Sequence, residues 1–487
     1  MRSEEAGSMN VKGTSVAKRC TVTLLSLLLA THLYAESVDE ALGGFDDTST
    51  SSVQVEQSNT DVMDGFDDTS TSPATNVSTS SATDVSNETV TEPTEVIAGL
   101  TGKLTQQVAY SYNGTAPHDK ISSFKSSVLL DYEHKFENGW RFKTNGKWYY
   151  DAVYDLRDEV YSNDELKEQR YETELFDAYI EGSITDSLDV KLGRQVVVWG
   201  RSDTIRITDV LNPLDNRRPG MVDIEDLRLP VAMAKFDFFF GDWRVTPIAV
   251  LEQRFSKNPA FGSAFSPAPF GIPEHEDYSD VTYALSVGAE FSGWDVNFYA
   301  AQVRDDGGYI KLPLSPTSRV KHDKVNMFGI ALNVLSGAWL FKTELAYFDG
   351  LKYTSTQAKE FARTDALLGL EYKGIADTTI SYDISLRHFS DYDDRLSNEI
   401  LTTDENTYQH AFRVSSDFMN AKLTANYLIS LYGKKLDEGG FQRAWIKYEL
   451  GEGINTNFGV VDYIGGSKLF NSIKNNDMVF SDISYSF

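Results

Sequence analysis

One cysteine stands in 487 residues, so neither a disulfide framework nor a Cys-based zinc or iron–sulfur site is available. Basic side chains are scarce: 45 Lys and Arg face 72 Asp and Glu, a formal −27. That balance excludes nucleic acid as a partner, because neutralising phosphates needs a basic face. From residue 100 onward no run of 18 apolar residues occurs, which excludes a transmembrane helix there. No Gly-rich phosphate loop leads a strand into a helix, and no Gly-x-Ser-x-Gly elbow exists, so no cofactor is expected. Against these gaps stand 25 Tyr, 28 Phe and 7 Trp in a chain only 41% hydrophobic.

Residues 1–35 read as a signal peptide: Lys12, Lys18 and Arg19, then a short Leu-rich core from Val22 to Leu33, then Ala35 at the expected cut. Cys20 precedes that core, which argues against a lipoprotein. Residues 36–98 hold 14 acidic residues, no Lys or Arg, and 22 Ser or Thr in 63 positions. Such a stretch cannot bury enough apolar surface to offset its conformational entropy and is expected to be a disordered periplasmic tail. As a random coil it would reach roughly 45 Å, and up to ~200 Å stretched. Setting aside the signal (4 basic, 2 acidic) and this tail leaves 41 basic and 56 acidic residues, a net −15.

Inside the tail Gly-Phe-Asp-Asp-Thr-Ser-Thr-Ser occurs twice, beginning at Gly44 and Gly65. Phe45, Asp46 and Asp47, with Phe66, Asp67 and Asp68, suit docking on an apolar pocket rimmed by Lys or Arg, and two copies would raise apparent affinity. A duplicated low-complexity spacer is the plainer reading.

From residue 99 onward apolar and polar residues alternate with period two. Trp339, Phe341, Leu345 and Tyr347 oppose Lys342 and Glu344; Leu368, Leu370 and Tyr372 oppose Asp365 and Glu371. Asp383 and Arg387, and later Arg443 and Lys447, again oppose an apolar face. A soluble sandwich would also alternate. What separates the two is the connections. Eighteen strands (sixteen on a stricter count) are read between 104 and 487, joined by short turns such as Gly241-Asp242, Ser292-Gly293 and Ser336-Gly337. These alternate with long links such as 155–170, 200–228, 254–280, 304–324 and 390–407. That pattern predicts an all-β, antiparallel up-and-down barrel of the Gram-negative outer membrane, with the eight charged residues named above facing the lumen. The last residues, Ile483, Tyr485 and Phe487, alternate with polar ones and match a signal for the barrel-assembly machinery.

Two long connections are candidates for shaping the pore. Residues 200–228 carry Arg201, Arg206, Arg217, Arg218 and Arg228 with Asp203, Asp209, Asp215, Asp223, Glu225 and Asp226. Opposed charges folded inward would set a transverse field, whereas the bland alternative is an external loop held by its own ion pairs. Residues 254–280 hold Phe255, Phe261, Phe265 and Phe270 among four prolines; packing on itself as a lid is favoured over contacts to a greasy solute.

The stretch Leu192-Gly193-Arg194-Gln195-Val196-Val197-Val198-Trp199-Gly200, then Asp209-Val210-Leu211-Asn212-Pro213-Leu214-Asp215 and Arg228-Leu229-Pro230, resembles the domain-of-unknown-function thirteen-oh-two family of Gram-negative outer-membrane proteins. The resemblance implies a part in moving hydrophobic or lipid-like molecules across the envelope, beside a resistance-nodulation-division-type inner-membrane exporter and a periplasmic carrier. The sequence therefore reads as a channel without catalytic or metal-binding residues. The alternatives are a diffusion porin with mild cation preference, a lipase-like barrel enzyme using His388, and a surface adhesin. His275, between Glu274 and Glu276, is a weak metal candidate read as solvated.

Overall fold

A computed structural model describes residues 99–221, 227–268, 270–273, 278–357, 359–399 and 403–487. The expected signal peptide, acidic tail and docking residues Phe45, Asp46, Asp47, Phe66, Asp67 and Asp68 lie outside these residues. So do Asp223, Glu225, Asp226 and the Glu274–Glu276 stretch. No described helix is long and apolar enough to cross a membrane.

Eighteen antiparallel strands form one sheet. In chain order they are β1 (Leu100–Ser111), β2 (Lys120–Lys135), β3 (Arg141–Asp151), β4 (Tyr171–Thr185), β5 (Leu188–Gln195) and β6 (Val231–Phe240). Then come β7 (Trp243–Val250), β8 (Thr282–Phe291), β9 (Trp294–Arg304), β10 (Lys324–Ser336), β11 (Trp339–Leu351) and β12 (Phe361–Ile375). The last six are β13 (Thr378–Phe389), β14 (Asn406–Phe418), β15 (Leu423–Tyr432), β16 (Gly440–Gly451), β17 (Ile454–Ile464) and β18 (Met478–Ser486). Each strand pairs with its chain neighbours, and β18 pairs back on β1 from Lys103↔Ser486 to Ser111↔Met478. Phe487 completes the seam, exchanging backbone hydrogen bonds of 2.8 and 2.9 Å with Gly102. Closure leaves no edge, so every wall N–H and C=O can be satisfied within the sheet.

Turns at one rim are short because they need only reverse the chain; Gly241, Gly293 and Gly337 supply the positive φ that two-residue hairpins require. At the other rim lie the long connections, including 152–170 with short helices Val153–Leu156 and Asn163–Gln169, and 305–323 with a small hairpin, Tyr309–Ile310 against Val320–Lys321. Ser162 starts the second helix by accepting the Glu165 N–H at 3.0 Å.

Alternation along the strands separates two environments. On β11, Phe341, Leu345 and Tyr347 are exposed by 48, 45 and 42%, while Lys342 and Glu344 between them are buried. Apolar side chains turned outward around a closed wall are stable only against hydrocarbon. Trp243, Trp294 and Trp339 begin β7, β9 and β11 at the short-turn rim; Trp294 stacks on Phe291 at 4.3 Å and Trp339 meets Tyr372 at 4.3 Å. Exposed Tyr110, Tyr171 and Tyr283 stand near the opposite rim. Two aromatic girdles bounding an apolar band are the surface of a transmembrane barrel.

Many strand ends shift by a residue or more from the sequence reading, β1 and β2 beginning at Leu100 and Lys120 instead of 104 and 125; four are instructive. The strand expected over 140–154 stops at Asp151, whose carboxylate turns to accept from Ser123 Oγ (2.6 Å) and Phe124 N (2.8 Å). The strands expected over 188–199, 229–240 and 243–253 end at Gln195, begin at Val231 and end at Val250. Beyond Gln195 and before Val231 the chain has left the wall for the interior, whereas beyond Val250 it enters connection 251–281.

Candidate functional site: a segment folded into the lumen

Between β5 and β6 the described residues 196–221 and 227–230 leave the wall and turn inside the barrel. Asn212 ties the two stems: its Oδ1 accepts from Val197 N at 2.8 Å, and its Nδ2 donates to Gln195 O (3.2 Å) and Leu229 O (2.9 Å). Asp209 makes the second tie, a buried pair with Arg228 at 2.9 Å joined by Arg206 at 3.3 Å. Arg206 also donates to the carbonyls of Asp209 (2.9 Å) and Asn212 (2.7 Å). A buried acid with this many donors keeps its charge at acceptable cost. The apolar side of the segment, Val197, Trp199, Ile205, Ile207 and Leu211, packs on inner-face residues including Met233, Ile248, Tyr299 and Met327. Trp199 stacks on Tyr299 at 4.6 Å. The residues that carry the family resemblance are thus those that fold this segment.

Wall carboxylates receive the rest. Glu344 on β11 accepts from Arg201 N (2.6 Å), Ser202 N (3.0 Å), Thr208 N (3.2 Å) and Thr208 Oγ1 (2.8 Å). Gly200 sits against it at φ 91°, where a Cβ would stand 2.9 Å from Glu344 Oε2. Asp383 on β13 accepts from Ser202 Oγ and Thr204 Oγ1, each at 2.6 Å. Asp295 on β9 pairs with Arg201. Lys342 bridges Asp203 (3.2 Å) and Glu371 (2.9 Å), and Arg387 donates to Arg206 O at 3.4 Å.

The second half of the segment reaches the opposite wall. Arg217 donates to Asp215 Oδ2 (2.5 Å), Glu172 Oε2 (2.7 Å) and Tyr149 Oη (3.1 Å), while Arg218 pairs with Asp151 at 3.3 Å. Burial opposes the Asp215 charge, but the Arg217 guanidinium more than reverses that, so its carboxyl titrates below the usual range. Burial likewise works against Arg217, and the Asp215 carboxylate holds its proton on still more firmly than usual. Pro219 O accepts from Tyr463 Oη at 2.6 Å, and Gly220 lies against Phe441.

Of the eleven charged residues expected in a constriction, eight are described: Arg201, Asp203, Arg206, Asp209, Asp215, Arg217, Arg218 and Arg228. Arg228 and Asp209 lock the segment itself; Arg201, Asp203, Arg217 and Arg218 bind the wall. Lys342, Glu344, Asp365, Glu371, Asp383, Arg387, Arg443 and Lys447 stand on the face opposite the exposed apolar side chains. Asp365 is held by Arg363 at 2.8 Å, and Arg443 lies over Trp445 at 3.9 Å. Ile483, Tyr485 and Phe487 are outward and half-exposed at the closing seam.

Sequence reasoning missed Asp295, Tyr149 and Glu172, although their alternating register marked them as inward. It also missed Asn212 and Thr208, uncharged residues whose role depends on what the fold brings to them.

The described residues of connection 251–281 pack partly on one another, Phe255 meeting Tyr278 at 5.6 Å and Gln253 Nε2 donating to Asp280 O at 3.2 Å, and partly on the rest of the barrel. Phe255 stacks on His322 at 3.5 Å, Phe265 is buried against Tyr463 at 5.3 Å, and Ala264 O accepts from Asn476 Nδ2 at 2.5 Å. Its prolines keep it out of the strand ladder, and neighbouring elements offer more apolar area than it could make alone. His388 lies on the outer face with its Nδ1 2.9 Å from Asn406 Oδ1, an amide that cannot hold an imidazolium as a carboxylate would.

Comparison with solved structures finds the outer membrane protein OpdK of Pseudomonas aeruginosa, at 11% identity over 80% of this chain and 98% of that one, with a TM-score of 0.47. OccK8 (OprE) of the same organism matches at 10% identity over 80% and 98%, TM-score 0.46. The outer membrane channel DcaP of Acinetobacter baumannii matches at 9% over 80% and 96%, TM-score 0.41. No curated protein matches the sequence. A family model described as protein of unknown function (DUF1302) matches residues 17–487, and the chain belongs to that family.

Proposed function

We propose that the protein is an outer-membrane channel in which segment 196–230 constricts the lumen, passing hydrophobic or amphipathic molecules. The observation that carries this reading is the segment's attachment to β3, β4, β9, β11 and β13 through side chains that point away from the apolar exterior. An apolar or amphipathic cargo is what the family resemblance implies; the apolar inner-wall residues beside Val197 to Leu211 are themselves buried under the segment. Both β1 and β18 meet the short-turn rim at their outer ends, so the tail that precedes Gly99 departs there. On this reading that rim is periplasmic, the assembly signal is the Ile483–Phe487 face, and the tail tethers an inner-membrane exporter or a periplasmic carrier.

Purified protein in a planar bilayer tests the channel. Discrete conductance steps are expected, and a bilayer that stays silent under all voltages would remove the reading. Deleting residues 36–98 tests the tether: co-purification of an inner-membrane exporter should be lost, and unchanged recovery would refute it.

A further inference from the structure

The wall is not equally well zipped all round. Between β10 and β11 the pairing runs without a break from Asn326↔Asp349 to Ser336↔Trp339. β4 begins at Tyr171, but its pairing with β5 begins only at Ala178↔Arg194, because β5 stops at Gln195 and the chain then turns inward. From Tyr171 to Asp177, roughly 20 Å of strand at about 3.3 Å per residue, β4 has a strand beside it only on the β3 side. Beyond β6 the pairing with β7 skips Phe236 and Asp237 against Thr246 and Pro247, and Pro247 has no N–H to give. β5 and β6 are therefore bounded by incomplete ladders on both flanks. Unmatched backbone is not tolerated against hydrocarbon, so something other than a strand must close the gap beside β4.

Side chains close it. Arg194 Nη1 donates to Leu175 O at 2.8 Å, and the same guanidinium pairs with Glu252. Behind β4, Arg254 donates to Glu174 at 2.6 Å and to Pro230 O at 2.8 Å, and Lys257 Nζ donates to Glu174 at 2.6 Å. Each cation of this latch meets a carboxylate, so the gap singles out neither sign of charge. Leu175, Leu192 and Leu251 around it are exposed. Unlike ladder bonds, such a latch opens without unzipping the sheet.

We infer that the gap between β4 and β5 is a lateral portal, through which a single-chain amphiphile passes between the lumen and the outer leaflet of the membrane. Its chain runs between Leu175 and Leu192, and its head exchanges hydrogen bonds with the latch of Arg254, Lys257 and Glu174. This rests on the channel reading above and deepens it by naming the route. A chain that leaves sideways stays in an apolar medium, whereas one that leaves along the axis must be hydrated along its whole length.

A phospholipid carrying a photoactivatable diazirine on its acyl chain reads the portal directly, with the protein in lipid nanodiscs. On β11 the label should reach the outward Phe341, Leu345 and Tyr347 and spare Lys342 and Glu344. Beside β4 it should also reach Glu174, Arg254 and Lys257, severalfold above Lys342 and Glu344. The double variant Arg254→Gln, Lys257→Gln should raise labelling of Glu174 further, its folding checked by heat-modifiable mobility. Thr173→Trp, on the exposed outer face, should fill the gap and cut labelling of Glu174, Arg254 and Lys257 severalfold. Labelling beside β4 confined to Tyr171, Thr173 and Leu175, or inner labelling unchanged by either variant, overturns the inference; conductance steps seen alongside would leave the channel standing. A silent bilayer removes the axial channel instead, because labelling is read without any current.

Discussion

Segment 196–230 and connection 251–281 both leave the wall at the long-loop rim, yet different forces hold them. The first is rich in Arg and Asp and enters the lumen, where Glu344, Asp383 and Asp295 wait on three strands. The second is rich in Phe and Pro, and Phe255 finds His322 while Phe265 finds Tyr463; only its stems use charge, Arg254 and Lys257 pairing with Glu174 at 2.6 Å. Charge can be taken inside a barrel only where the wall supplies oriented partners, since an unpaired buried charge costs several kcal/mol. Aromatic rings need only area, and neighbouring loops supply it. A directional anchor gives one position; an area anchor tolerates rearrangement.

The sharpest way to break this contrast is Glu344→Ala. It leaves the donors of Arg201, Ser202 and Thr208 without their acceptor, at a cost of roughly 3–5 kcal/mol for a buried charged partner. Single-channel conductance should rise severalfold as the segment loosens, and limited proteolysis should cut between Gly200 and Thr208. Gly200→Val tests the same cradle by crowding: a Cβ stands 2.9 Å from Glu344 Oε2 at a φ of 91°. The strain is of order 1–3 kcal/mol, so conductance should become noisy and less stepwise.

Phe265→Ala should cost up to roughly 3 kcal/mol locally but leave mean conductance unchanged, showing instead a loss of protease protection confined to 251–281. The smallest effect concerns acid. Lys324 and then Arg304 hold the Asp280 carboxyl down to about 2, below its ordinary 3.8. A depressed carboxylate contributes above its unfolded value and is lost as pH falls through its folded one. The anchor of 251–281 at β9–β10 should therefore survive at pH 4 and release only toward pH 2, read as the onset of proteolysis across a pH series. Release already at pH 4 would deny the pairing.

Much of the architecture was legible in the residues. Trp339 to Tyr347 alternate because one side meets hydrocarbon, and glycine turns such as Gly241-Asp242 recur because hairpins need positive φ. The charged run 200–228 could be seen as unusual, and Glu344 and Asp383 as inward. Their pairing could not be seen: Glu344 lies 136 positions from Thr208, and Asp383 lies 181 from Ser202. Asn212 was visible only as part of a motif, since an amide shows its role when both stems of a loop reach it. The termination of β5 at Gln195 was equally hidden, because Val196 to Trp199 have strand-like composition and leave the sheet only for apolar area inside the barrel.

By itself the sequence determined that the folded part is an extended, alternating wall of even strand count with one apolar side, because period and turn chemistry are local properties. Tertiary structure alone decided which wall carboxylates are answered by donors of the interior segment, as Glu344 is by Thr208 and Asp383 by Ser202. That decision depends on closing the cylinder, which brings charges distant in the chain within hydrogen-bonding reach and sets the field a passing solute would meet.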